Sequence, residues 1–142
     1  MKIKILIIED NQDVRENLSE LLTLSGYETR TAMNGKLGVE TAMTFIPGLI
    51  LCDIMMPEMD GYEATAAIRR EHNLNQDTTI IALTASALVS QKDHAFDVGM
   101  NDYLSKPYTP MQLREKLEKH LTGGENELPL PGAADFLQEF YD

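Results

Sequence analysis

The sequence predicts an α/β domain, a doubly wound parallel sheet of five strands flanked by five helices. Short apolar, strand-like runs alternate five times with helix-like segments, the pattern of a parallel sheet covered on both faces. Four of those runs end in polar groups, namely Glu9 with Asp10, Asp53, Thr84 and Lys106. In such a sheet all strand ends of that sense share one edge. A chain of 142 residues is also long enough for one hydrophobic core without staples.

Ile3 to Ile8 forms the first strand. Asn11 can cap a helix from Gln12 to Ser25, with Val14, Leu18, Leu21 and Leu22 on one face and Gly26 as its stop. Tyr27 to Ala32 is the second strand. Asn34 and Gly35 turn into a second helix that ends before Pro47, since a proline steers the preceding residue out of the helical region. Leu49 to Asp53 is the third strand. Asp60, with Glu63 three residues on, makes a capping box for a helix reaching about Glu71. Thr79 to Thr84 is the fourth strand, and a shorter helix from about Ser90 to Val98 is closed by Gly99. Asp102 to Ser105 is the fifth strand. Thr109, Pro110 and Gln112 then combine a capping box with proline at the first helical position, starting a helix that runs to about Leu121.

Residues 1–121 form the domain, and residues 122–142 are a tail of different character. Gly123, Gly124, Pro129 and Pro131 interrupt the tail, which holds five acids and neither Lys nor Arg. It therefore carries −5 of the formal net charge of −11, leaving −6 for the body. Two readings of it stand: a disordered linker, or a short terminal helix with Phe136, Leu137, Phe140 and Tyr141 on one face that needs a cover. With 43% apolar and 25% charged residues the composition is that of a soluble globular protein. The acidic balance and the absence of a basic stripe exclude nucleic acid and anionic membrane as expected partners, because phosphate contacts need Lys and Arg. Cys52, the single cysteine, lies inside an apolar run, which rules out an internal disulfide and fits burial in a reducing cytoplasm. The N-terminal residues lack signal-peptide features and no stretch approaches membrane-spanning length, so the expected location is cytoplasmic.

A single acid at a strand end fits a solvated loop start as well as a functional group. Several converging strand ends change that balance. The order 2-1-3-4-5, adopted from the flavodoxin-like class of doubly wound sheets, sets Glu9, Asp10 and Asp53 beside the switch point between strands one and three, with Thr84 and Lys106 closing the other side. Carboxylates so close repel one another, by about 4 kcal/mol for a pair at about 4 Å and an effective dielectric of about 20. A hard divalent cation relieves this, and Mg2+ takes one or two carboxylates plus a phosphoryl oxygen. Lys106 offers a compact positive charge, and the Thr84 hydroxyl can donate to a phosphoryl oxygen. The set suits phosphoryl transfer, with Asp53 attacking phosphorus in line.

These residues resemble the receiver domain of two-component response regulators, over about Met1 to Leu121. The matching fragments are IIEDN with Glu9 and Asp10; DIMMPEMDG with Asp53, Pro57 and Gly61; ALTAS with Thr84 and Ala85; and DYLSKP with Lys106 and Pro107. The resemblance implies that Asp53 takes a phosphoryl group from a phosphohistidine of a sensor histidine kinase or histidine phosphotransfer protein. It implies Mg2+ held by Asp10, Asp53, the Met55 backbone carbonyl and, partly through water, Glu9, and a cis peptide between Lys106 and Pro107. The first acid here is Glu where the family more often has Asp. Thr84 would then shift toward the phosphoryl group, vacating space for Tyr103, the aromatic three residues before the lysine. That remodels the face of helix four, strand five and helix five, including Leu88, Val89, Tyr103 and Tyr108, where a downstream effector or a second, phosphorylated copy can dock.

On this reading the chain is a phosphoacceptor switch with slow self-dephosphorylation at most. A haloacid-dehalogenase-like phosphatase needs a second Asp two positions after its nucleophile, and Met55 stands there. Neither GxGxxG nor GxxxxGK[ST] occurs, which disfavours nucleotide or flavin binding. His72, His94 and His120 lack metal-ligand spacing and read as surface residues, and the eight methionines read as packing and loop residues. The chain is either a stand-alone module or the receiver part of a longer regulator or hybrid kinase.

Overall fold

Ten elements alternate strand and helix in the computed structural model, which describes residues 2–70, 75–85 and 89–121. They are β1 (Lys4–Ile8), α1 (Gln12–Leu24), β2 (Glu28–Ala32), α2 (Gly35–Phe45), β3 (Leu49–Asp53), α3 (Gly61–Arg69), β4 (Thr79–Thr84), α4 (Val89–Asp97), β5 (Asp102–Ser105) and α5 (Pro110–Leu121). The strands pair in parallel in the order β2-β1-β3-β4-β5, so the doubly wound sheet expected from the sequence is the one that forms.

Successive strand residues point to opposite faces, so each central strand feeds two cores. Leu6, Ile8, Ile50, Cys52, Ile80 and Ala82 pack with Ala42 and Phe45 of α2, Ala64 and Ile68 of α3 and Ala95 of α4. Ile5, Ile7, Leu49, Leu51, Ile81 and Leu83 pack instead with Leu18, Leu21 and Leu22 of α1 and Leu113 and Leu117 of α5. All these strand side chains are fully buried, each a gain of about 1.5–3 kcal/mol for the larger ones. Cys52 belongs to this interior as a free, buried thiol. β2 lies at the sheet edge, and its ETRTA sequence is largely exposed.

The caps read from the sequence form. Asn11 Oδ1 accepts from Val14 N at 3.1 Å and Asn34 Oδ1 from Leu37 N at 2.8 Å. Asp60 and Glu63 exchange bonds of 2.8 and 3.1 Å, and Thr109 and Gln112 bonds of 3.1 and 2.9 Å, both reciprocal capping boxes. Gly26 ends α1 at φ 102, whereas α2 is stopped by Ile46 at φ 49, just before Pro47. α3 ends at Arg69 rather than near Glu71, because Arg70 is already extended. The Arg69 guanidinium there donates to Gly99 O, Asn75 O, Gln76 O and Asn101 Oδ1, locking the helix end to the loops before β4 and β5. Glu71, His72, Leu88 and the whole tail of residues 122–142, with both readings of it, lie outside the described residues. Among the described residues no helix is long and apolar enough to cross a membrane.

Candidate functional site

Register brings the acids together. Ile8 of β1 pairs with Cys52 of β3, so the next residue of each strand, Glu9 and Asp53, leaves the sheet at the same level. Asp53 is in turn opposite Leu83 of β4, and Lys106 N donates to Thr84 O at 2.7 Å, extending the β4–β5 ladder by one step. The Lys106 ammonium then reaches back across the edge to lie 3.4 Å from Asp53 Oδ1 and 3.5 Å from Glu9 Oε1. Asp10 completes the group: one carboxylate oxygen from each of Glu9, Asp10 and Asp53 fits within 4.8 Å of the others.

These acids are not equivalent. Glu9 is 1% and Asp53 4% exposed, while Asp10 faces solvent. Burial pushes the Glu9 carboxyl up to about 7, helped by the Asp53 charge and opposed by the Asn11 amide, which donates to Glu9 Oε2 at 3.0 Å, and by Lys106. Asp53 is likewise raised by burial, with Lys106 pulling the other way. Two ionised carboxylates at this separation repel by on the order of 3 kcal/mol at an effective dielectric of about 20. One lysine shared between two acids leaves that repulsion only partly offset.

The turn after β3 shapes the mouth. Ile54 N donates to Leu83 O, Met56 N and Gly61 N both donate to Ile54 O, and Glu58 takes φ 67. A Cβ on Gly61 would press into the Asp53 carbonyl and come 2.8 Å from Ile54 Cα, so only glycine lets α3 start so close to the acid. Met55, two residues beyond Asp53, turns its side chain out with 73% exposure, while Met56 is buried in the core. Met43 on α2 and Met111 on α5 are exposed helix residues, outside the packing and loop roles expected of the methionines. Thr84 is buried at the end of β4 and lines a cavity of about 440 Å3 with Ile54, Met55, Tyr62, Ala85, Gln91 and His94. Tyr103 is half-buried on β5, paired with Ala82 two residues below Thr84. The Lys106–Pro107 peptide is cis.

A second charged cluster escaped the sequence reading. Asp102, 5% exposed at the start of β5, takes Lys116 Nζ at 2.8 Å, Lys119 Nζ at 3.4 Å and His120 Nε2 at 2.8 Å, all from α5. His120 is therefore not the surface residue expected; its side chain is 16% exposed and tied to a buried acid. His94 is exposed as expected, edge-on to Tyr62 at 4.2 Å between ring centroids. Burial alone would raise the Asp102 carboxyl, but bonds from Lys116 and His120 outweigh it and hold it at about 2. The available signal was a strand acid followed on the next helix by Lys116, Lys119 and His120 at helical spacing.

With this geometry in place, the sequence pattern of the response regulator receiver domain matches residues 5–118. The chain belongs to the response regulator receiver domain family. This receiver domain is 35% identical over 120 residues to the probable transcriptional regulator ycf27 of Pyropia yezoensis, an alignment covering 84% of this chain and 48% of that protein. The chain thus spans about half the length of the curated relatives it matches first. Its fold superposes on the Vibrio cholerae chemotaxis protein CheY4 with a TM-score of 0.81 at 30% identity, over 85% of this chain and 100% of the other. It also matches the receiver domain of the sensor histidine kinase PA1611 from Pseudomonas aeruginosa, with a TM-score of 0.76 and 34% identity over 84% and 98% of the two chains. That neighbour has a magnesium ion coordinated in its active site cleft. Receiver domains are phosphoacceptor switches of two-component signalling.

Proposed function

We propose that this receiver domain accepts a phosphoryl group on Asp53 from a phosphohistidine of a sensor histidine kinase or histidine phosphotransfer protein. The observation that carries the reading is the Lys106 ammonium within 3.5 Å of both Asp53 and Glu9, beside an oxygen cluster that Asp10 completes. An Asp53 oxygen attacks phosphorus in line. As the O–P bond forms, the P–N bond to the donor imidazole breaks and the departing nitrogen takes up a proton. Lys106 holds its charge against the transferred oxygens, and Thr84 presents its hydroxyl from the next strand end.

Three carboxylates without a nitrogen or sulfur donor among them match the ligand chemistry of Mg2+, with Asp10, Asp53, Glu9 and the Met55 carbonyl as its holders. When bound, the ion supplies the positive charge that offsets the carboxylates against an incoming phosphate. In hydrolysis a water oxygen bonds phosphorus as the Asp53 O–P bond breaks, which frees the Asp53 carboxylate and releases inorganic phosphate. Met55, where a phosphatase has its general acid, makes this slow and gives no turnover of phosphomonoesters.

Once modified, Asp53 carries added negative charge and new acceptor oxygens, toward which Thr84 moves while Tyr103 turns inward. The reading assigns residues 1–121 to the receiver and residues 122–142 to a tail or linker, in a cytoplasmic protein. A downstream effector, or a second phosphorylated copy, docks on the face of α4, β5 and α5, and nucleic acid is not bound by this chain. The decisive experiment is phosphorylation with acetyl phosphate and Mg2+, followed by intact mass. Wild type gains one phosphoryl group and Asp53→Asn gains none; equal gain by both overturns the assignment.

A further inference from the structure

Two helices hold the Tyr103 ring at once. Lys92 Nζ of α4 lies 4.4 Å and Lys116 Nζ of α5 5.2 Å from its centroid, both within cation–π range. Phe96, one helical turn after Lys92, meets the ring edge-on with centroids 6.4 Å apart and planes at 78°. Lys116 is no wandering surface cation, since its ammonium is also fixed 2.8 Å from Oδ1 of buried Asp102, the residue before Tyr103. Inward of the ring there is almost no space. The cavity there, lined by Ile54, Tyr62, Ala82, Thr84 and Ala95 among others, measures about 10 Å3. That is one water at most beside the ring, and the larger cavity on Thr84 lies beyond it.

We propose that Lys92 and Lys116 are positioning residues that clamp the Tyr103 ring between α4 and α5 and oppose its inward turn. The inference rests on Tyr103 being the switch aromatic and adds what sets its resting place. An inward turn gives up both ammonium contacts and the Phe96 contact together, so the clamp acts as a threshold for the phosphoryl group to overcome. A ligand shifts such an equilibrium only by its difference in affinity for the two arrangements. Each cation contact corresponds to about a two- to fivefold change in that equilibrium. Lys92 is the cleaner probe, because replacing Lys116 also strips Asp102 of a partner.

The test uses the full chain with ring-13C tyrosine, the Tyr103 signal being identified by its loss in Tyr103→Phe, titrated with beryllofluoride in the presence of Mg2+ as a phosphoryl analogue. Lys92→Gln should reach half-saturation of the Tyr103 shift at about two- to fivefold less beryllofluoride than wild type. Lys92→Arg, which keeps the cation, should restore the wild-type value. Identical titrations for Lys92→Gln and wild type, or a Lys92→Arg protein that behaves like Lys92→Gln, overturn the clamp while leaving the switch intact. A wild-type Tyr103 signal that stays put while amides of the β3–α3 turn respond overturns the switch reading itself, and the clamp with it.

Discussion

Individual side chains here do opposite things with buried charge. At the β1–β3 edge, Glu9 and Asp53 are held where burial raises both carboxyls and a single Lys106 serves two acids, so negative charge there is only partly offset. At the far end of β5, Asp102 is buried with three basic partners and its carboxyl is held at about 2, the signature of a structural anchor. A carboxyl lowered in the folded state contributes stability that is present above its unfolded value near 4 and is lost as pH falls through the folded value near 2. Asp102→Asn should therefore lower unfolding free energy by on the order of 2 kcal/mol at pH 7, with the gap from wild type closing between about pH 4 and 2. Urea titrations across that range check it; a gap independent of pH would show that the charge contributes nothing. At Thr84, loss of the hydroxyl in Thr84→Ala should leave Asp53 labelling by acetyl phosphate in place but weaken the response of Tyr103 to it. Ring-13C signals of Tyr103 that shift as far in the variant as in wild type would count against that coupling.

Secondary-structure elements position the site through their ends rather than their middles. α3 begins at Gly61 on an Asp60–Glu63 capping box, and its first residue sits against the Asp53–Ile54 backbone. A methyl group at Gly61 meets backbone atoms, which cannot rotate away, so Gly61→Ala should destabilise the fold by about 1–3 kcal/mol. It should also slow phosphorylation of Asp53 by shifting the turn that carries it. Thermal melts and acetyl phosphate labelling rates read the two effects separately, and a variant equal to wild type in both refutes the contact. At its other end α3 is fastened by Arg69 to the loops before β4 and β5, with five donations to four acceptors. That fastening to two loops accompanies a helix that stops short of the residue its composition suggested, with Arg70 already extended.

Over the whole molecule, parallel pairing carries Glu9, Asp53, Thr84 and Lys106 to one edge from positions as far as 97 residues apart. Concentrating three carboxylates there costs stability, and a bound cation recovers it. Mg2+ at about ten times its dissociation constant should stabilise the chain by roughly 1.4 kcal/mol, raising the thermal midpoint by about 5 °C. Asp10→Asn should lose most of that increment, and an equal Mg2+ effect on both proteins would place the ion elsewhere. The strands, their alternation with helices and the four polar strand ends were legible in the chain because apolar periodicity, caps and strand-end residues are local properties, read within a few positions. The Asp102 cluster, the tie of His120 to it and the bracketing of Tyr103 by Lys92 and Lys116 were not, since each joins elements whose relative placement no local pattern encodes. Only packing β5 between α4 and α5 decided them: a surface charge and a buried one read alike in sequence until a neighbouring helix removes the water.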